Sequence, residues 1–127
     1  MDNSARKLSD AESYKVAVAS SDGIVVNQHF GRADTFYIFE VSEANEYRLL
    51  ETRTVTPICN RRDHDDDELR DNVGKFQDCR YILVSRIGSG AANVVEQSGI
   101  IPMELPGIIG ESIDKLIQYK KLQNLFM

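Results

Sequence analysis

The chain has 127 residues, of which 42% are hydrophobic and 28% charged, and its formal net charge is -5. This length allows one ordinary domain with one core and excludes two. The acidic balance argues against a broad nucleic-acid-binding surface, which needs concentrated basic side chains, and no apolar run is long enough to cross a bilayer.

The two ends of the chain are expected to lie outside the domain. Residues 1–13 are polar and lack the apolar stretch of a signal peptide, so we expect a flexible leader. Residues 14–122 are expected to form the domain, and residues 123–127 a short tail. With no export signal and with two cysteines of different context, Cys59 and Cys79, a cytoplasmic protein with reduced thiols is expected.

The first half of the domain predicts an antiparallel β-meander. Residues 14–20, YKVAVAS, are apolar on both faces, as in a strand covered on both sides. Asp22-Gly23 predicts a type I′ hairpin turn, after which IVVN would return as a short strand. TFYIFEV and YRLLETRTVT, at residues 35–41 and 47–56, predict two further strands.

The second half predicts alternating helices and strands. Leu69, Val73 and Phe76 recur at helical spacing within residues 65–77, and strand, helix, strand and helix follow at 81–85, 88–99, 100–105 and 110–122. This alternation implies parallel pairing, and Pro102 puts its strand at a sheet edge. The expected fold is a single α/β domain of ribonuclease H-like outline, with a mixed sheet of about five strands and three helices.

The segment NQHFGRAD, which follows the expected hairpin, is the first candidate site. In one interpretation Asn27 and Gly31 make a tight turn, Phe30 fills the core, and His29 and Arg32 are merely solvated. In the other, His29 presents an imidazole and Arg32 a fixed positive charge to an anionic ligand. The spacing of these residues leaves both interpretations open.

The segment CNRRDHDDDE is the second candidate, because thiolate and imidazole are ligands that zinc, iron and iron–sulfur clusters prefer. Cys59 and His64 lack the paired spacing of a closed zinc site. We expect them to bind iron only with help, from His29 or from the ligands of a partner.

The acidic run within that segment has two interpretations. Carboxylates at the start of a helix satisfy free N–H groups there, which is the expected role of this run. A two-metal nuclease is the alternative, but it draws carboxylates from separate elements, and the first predicted strand has none. The run consists of Asp63, Asp65, Asp66, Asp67 and Glu68.

The segment RIGSGAAN joins a strand to a helix, so the N–H groups of Gly88, Ser89 and Gly90 could face a compact anion. Tight packing of the helix on the strand is the other explanation of the glycines. A dinucleotide site is not expected, because the third glycine of that fingerprint is absent. Cys79 is expected to be a small, partly buried apolar residue outside the site.

Taken together, VAVASSDGIVVNQHFGRADTFYIFEV, CN…HDDDELRDNV, DCRYILVSRIGSGAA and GIIPMELPG resemble the dinitrogenase iron-molybdenum cofactor biosynthesis family. Its members include NifX and the C-terminal domain of NifB. The resemblance implies a ribonuclease H-like fold and a non-enzymatic carrier. The cargo would be an iron–sulfur type metallocluster, such as the iron-molybdenum cofactor or a precursor, bound reversibly.

The resemblance also implies roles for the candidate residues. The histidine of the family's HFG motif corresponds to His29, which would be the main metal ligand. Arg32 and the turn of Gly88, Ser89 and Gly90 would contact the anion, and Cys59 and His64 would be accessory metal ligands. Proteins that donate and accept the cluster would be the partners. A regulatory or adaptor module that binds an anionic metabolite or a protein is the alternative of another class.

Overall fold

The computed structural model describes residues 13–42, 44–57 and 66–126. Within these residues the chain forms seven strands and three helices. The strands are β1 (Ser13–Ala19), β2 (Val25–Val26), β3 (Thr35–Ser42), β4 (Tyr47–Thr54), β5 (Tyr81–Val84), β6 (Ile101–Glu104) and β7 (Gly107–Ile108). The helices are α1 (Asp66–Gly74), α2 (Ser89–Gln97) and α3 (Ile109–Leu125).

Five of the described strands form one mixed sheet in the order β4-β3-β1-β5-β6. β3 pairs antiparallel with both β1 and β4, whereas β5 pairs parallel with both β1 and β6. The prediction of an α/β fold with a mixed five-stranded sheet and three helices is therefore confirmed for this part of the chain. So is the edge position of the strand that contains Pro102. The ribonuclease H-like label stays a prediction.

Helices cover both faces of the sheet, which explains why β1 and β5 are apolar on both sides. On one face, α1 and α2 pack over one buried cluster, to which Phe30, Phe36 and Phe76 contribute their rings. On the other face, α3 packs through Ile113 and Leu116. In the described part of the chain, no helix is both long and apolar enough to cross a membrane.

The predicted hairpin after β1 is wrong. Instead of returning along β1, β2 pairs antiparallel with β7 in a separate two-stranded sheet. The reason is that β3 and β5 already occupy both edges of β1. A type I′ turn also needs positive φ at both central residues, whereas only Gly23, with φ 79°, has it.

Side chains hold the turn after β1. The Asp22 carboxylate accepts hydrogen bonds from the N–H groups of Ile24 and Val25 at 2.8 and 3.1 Å. These bonds hold the pKa of Asp22 below its ordinary value. The Ser20 hydroxyl accepts from the Gly23 N–H at 2.9 Å. The turn thus directs the chain from β1 toward β2 and the segment that contains His29.

The first helix ends earlier than its periodicity predicts. α1 stops at Gly74, and Phe76 lies in a following turn, where its N–H donates to the Val73 carbonyl at 2.9 Å. Phe76 is nevertheless fully buried and packs on Phe36, with ring centroids 4.7 Å apart. The apolar spacing therefore identified a core residue correctly but extended the helix past its glycine.

Candidate functional site

The parallel strands β1, β5 and β6 all end on the same side of the sheet. Their carboxyl ends together form one edge, which runs across the strand ends and not along an edge strand. In open α/β sheets, ligands commonly bind in the crevice outside the carboxyl ends of the strands. The segment that contains His29 and the glycine turn after β5 both lie here. We call this the ligand edge.

His29 is held at the ligand edge by backbone pairing with the loop that follows β5. His29 and Arg86 form a parallel β-bridge. The Phe30 N–H donates to the Arg86 carbonyl at 2.9 Å, and the Ser85 N–H donates to the Gln28 carbonyl at 3.0 Å. Two segments that are far apart in sequence are thus fixed side by side, and the imidazole of His29 stays exposed.

A tight turn and an apolar anchor fix the loop further. The His29 carbonyl accepts hydrogen bonds from the N–H groups of Arg32 and Ala33, both at 3.0 Å. Phe30 is 5% exposed and packs edge-on against Phe36, with centroids 6.0 Å apart. The turn and the buried Phe30 of the first interpretation are therefore present. They fix the backbone from which the exposed side chains of His29 and Arg32 project, so they do not exclude a ligand.

The glycine turn starts two residues after Arg86. Gly88 is the N-cap of α2, and no side chain caps the helix. Gly88, Ser89 and Gly90 are exposed, and a Cβ added at either glycine would meet no atom within 4 Å. Tight packing within the described residues therefore does not explain these glycines. The arrangement leaves room for a compact anion at the start of the helix.

The structure thus brings five of the predicted site residues to one edge of the sheet. These are His29, Arg32, Gly88, Ser89 and Gly90. Cys59 and His64 lie outside the described residues, so their proposed role as metal ligands stays a prediction. Over the described ranges, no group of three or more His, Cys, Asp or Glu side chains could hold a metal ion.

Cys79 lies in the core of the domain. Its side chain is 4% exposed and belongs to the buried cluster under α1 and α2. Burial, followed by the nearby Asp78 charge, raises the pKa of the Cys79 thiol to about 12. The thiol is therefore protonated at neutral pH and is a poor metal ligand, because metals bind the thiolate.

A polar cavity of about 560 Å³ lies elsewhere, at the amino end of β1 and β5. Its walls include Lys15, Asp78 and Arg80. Lys15 donates to the Asp78 carboxylate at 3.1 Å, so two of these charges are already paired. The cavity is at the opposite end of β5 from His29 and is not part of the candidate site.

Arg86 is the residue at the ligand edge that sequence reasoning missed. It is exposed and pairs directly with His29 through the backbone. The motif RIGSGAAN contains it, but only its glycines carried a recognisable signal. Nothing in the local sequence indicates that residue 86 pairs with residue 29, because the two are distant in the chain.

Fold and site together define a small α/β domain with a candidate binding edge centred on an exposed histidine. The model of the family described as dinitrogenase iron-molybdenum cofactor matches residues 12–119. The chain belongs to this family. That membership agrees with the resemblance of its motifs.

Curated relatives are NifB proteins, described as FeMo cofactor biosynthesis proteins. The chain is 36% identical to the Frankia alni protein over 115 residues, which cover 88% of this chain and 22% of that protein. It is 39% identical to the Klebsiella pneumoniae protein over 94 residues, which cover 68% of this chain and 19% of that protein. The chain thus spans about a fifth of the length of these relatives.

Solved structures support the fold. The crystal structure of PH0822 superposes with a TM-score of 0.62 at 22% identity, covering 82% of this chain and 90% of that one. The NMR structure of TM1290 from Thermotoga, of the DUF35 family, gives a TM-score of 0.53 at 22% identity. The superposition covers 83% of this chain and 88% of that one. At these identities the likeness concerns the fold alone.

Proposed function

We propose that this chain binds an iron–sulfur type metallocluster, such as the iron-molybdenum cofactor or a precursor, as reversible cargo and without transforming it. The observation that carries this proposal is the exposed side chain of His29 on a backbone segment that the bridge to Arg86 fixes near the start of α2, which no side chain caps. Membership of the family supports the class of cargo.

The chemistry of the ligand edge suits such a cargo. A cluster of this type is anionic and presents exposed metal atoms, so it can accept one imidazole ligand together with hydrogen bonds and positive charge. His29 would ligate a metal atom, while Arg32 and the N–H groups of the Gly88 turn would contact the anionic surface. A single strong ligand is appropriate to a carrier, because the cluster must also leave.

Cys59 and His64 are proposed as accessory ligands from the segment between Pro57 and α1. Proteins that donate the cluster and accept it would be the partners, in the cytoplasm. The relatives match this chain over only about a fifth of their length, so the chain corresponds to one part of NifB. We propose that this part binds and does not catalyse.

Metal analysis of protein prepared without oxygen tests the proposal. Iron, molybdenum, acid-labile sulfide and the visible spectrum would be measured for reconstituted wild type and His29→Ala. We expect near-stoichiometric iron and sulfide in the wild type and a loss of most of both in the variant. Gln118→Ala, which changes an exposed residue of α3, is the control and should bind as the wild type does.

Two results would contradict the proposal in different ways. Equal metal content in the wild type and His29→Ala would remove His29 as the ligand. No bound metal in any of the proteins would reject the carrier and favour the regulatory or adaptor module, which recognises an anionic metabolite or a protein.

A further inference from the structure

The backbone bridge between Arg86 and His29 determines the relative direction of their two side chains. Residues paired across a β-bridge project their side chains to the same side, and alternate residues project to opposite sides. The neighbours on the two segments, Phe30 and Ile87, both pack against the buried cluster under α2. His29 and Arg86 are exposed and therefore project together, away from that cluster.

Among the described residues, the guanidinium of Arg86 has no hydrogen-bond or ion-pair partner, and neither has that of Arg32, whereas Arg48, Arg53 and Arg80 are engaged. Arg48 is paired with Glu40 at 3.0 Å, and Arg53 with Asp78 at 2.8 Å. Arg80 lies over the Tyr14 ring, 5.6 Å from its centroid.

The acidic side chain bonded to the Arg86 loop is also engaged. Glu104, at the end of β6, accepts the Ile87 N–H through Oε2 at 2.9 Å. That bond holds the loop to β6 and commits this carboxylate oxygen to the backbone. The described geometry thus leaves the Arg86 guanidinium available to a ligand of His29.

We propose that Arg86 and His29 form a two-point contact that makes the ligand edge selective for an anionic metal cluster over a bare divalent cation. This inference rests on the proposed function and adds a specificity residue to it. The imidazole would ligate a metal atom, and the guanidinium would donate hydrogen bonds to sulfide or other anionic atoms of the same cluster. A free cation at His29 would gain the imidazole but meet the repulsion of the guanidinium.

Binding of two probes separates these contributions. The anionic probe is a synthetic, water-soluble [4Fe–4S] cluster with thiolate ligands, and the cationic probe is Co²⁺. We expect Arg86→Ala to weaken cluster binding about tenfold, which is the loss of about one charge-assisted contact. Its affinity for Co²⁺ should stay the same or increase. His29→Ala should weaken the binding of both probes.

Arg80→Ala is the matched control. Arg80 and Arg86 are both exposed and flank the two ends of β5, six residues apart, so their Cα atoms are separated by roughly 20 Å. Each substitution removes one positive charge. If cluster affinity fell because of net charge alone, both variants would lose it equally, and this result would overturn the inference.

Arg86→Lys distinguishes a planar hydrogen-bonding contact from charge. We expect cluster affinity between those of the wild type and Arg86→Ala, because lysine keeps the charge but not the guanidinium fork. Cluster binding by Arg86→Ala as tight as that of the wild type would refute the role of Arg86 while leaving the carrier function intact. No cluster binding by the wild type would refute both.

Discussion

The two ends of β5 differ in what their charged side chains contact. At the amino end, Arg53 donates to both oxygens of Asp78 at 2.8 Å, and Lys15 adds a third bond to the same carboxylate. At the carboxyl end, His29, Arg32 and Arg86 are exposed, with no hydrogen bond from their side chains to any described residue. The contrast separates charged side chains that are paired within the fold from side chains that are free to contact the proposed ligand.

The two ends are also fixed by different forces. The amino end is tied by ion pairs between side chains. At the ligand edge the backbone bridge of His29 to Arg86, the buried ring of Phe30 and the hydrogen bond from the Ile87 N–H to Glu104 fix the loops, so the side chains of His29, Arg32 and Arg86 need not do so. The proposed carrier function requires a site that keeps its shape when the ligand leaves, and a loop fixed in this way would meet that requirement.

The largest effect on stability is expected from Phe30→Ala at the ligand edge. Removing this buried ring should lower the free energy of unfolding by about 3–5 kcal/mol, because a cavity forms beside Phe36. Urea denaturation measures the loss. Phe126→Ala is the control: its ring is 85% exposed, so the change should be below about 0.5 kcal/mol. A small loss in Phe30→Ala would show that the ring does not anchor the loop.

An intermediate effect is expected from Asp78→Asn at the amino end. Hydrogen bonds from Arg53, and then from Lys15, hold the pKa of Asp78 well below its ordinary value. The carboxylate therefore stabilises the fold above the ordinary aspartate pKa of about 3.9, and that stabilisation disappears as the pH falls through the lowered pKa. Because the side chain is 43% exposed, we expect a loss of only about 1 kcal/mol at pH 7.

Urea denaturation at several pH values tests this prediction. The difference between the wild type and Asp78→Asn should narrow as the pH falls below the ordinary aspartate range. Asp114→Asn, at an exposed position on α3, makes the same chemical change away from the network and should leave stability nearly unchanged. A difference that did not depend on pH would mean that the ion pairs are not its source.

The smallest effect on stability is expected from His29→Ala and Arg86→Ala without ligand. Both side chains are exposed and have no partner among the described residues, so each change should alter the free energy of unfolding by less than about 0.5 kcal/mol. Thermal unfolding of the apoproteins measures this. A loss of more than about 1 kcal/mol in either variant would assign that side chain to the fold and erase the contrast between the two ends.

The sequence predicted the sheet better than its connections. The segments YKVAVAS and YILV have apolar residues on both faces, and this pattern identified β1 and β5. Pro102 correctly predicted that β6 lies at the edge of the sheet. The turn at Asp22-Gly23 was correctly located but wrongly interpreted, because a local turn signal does not reveal that both edges of the preceding strand are occupied. β7 was missed, since a strand of two residues carries no periodicity.

For the candidate site, the motifs identified the residues but not their arrangement. HFG and GSG singled out His29 and the Gly88 turn as separate candidates, whereas Arg86 drew no attention because an exposed arginine is common on any surface. Its importance comes from the pairing with His29, because this pairing joins two segments that are separated in the chain by β3, β4, α1 and β5.

The sequence by itself determined the α/β class, the buried strands and the family, because apolar periodicity and motif residues are local properties of the chain. Only the tertiary structure decided that β2 pairs with β7 and that His29 lies beside Arg86. The physical reason is that such pairings depend on which backbone edges remain free once the sheet has formed. Distant segments compete for these backbone hydrogen bonds, and the sequence of either segment alone does not reveal the outcome.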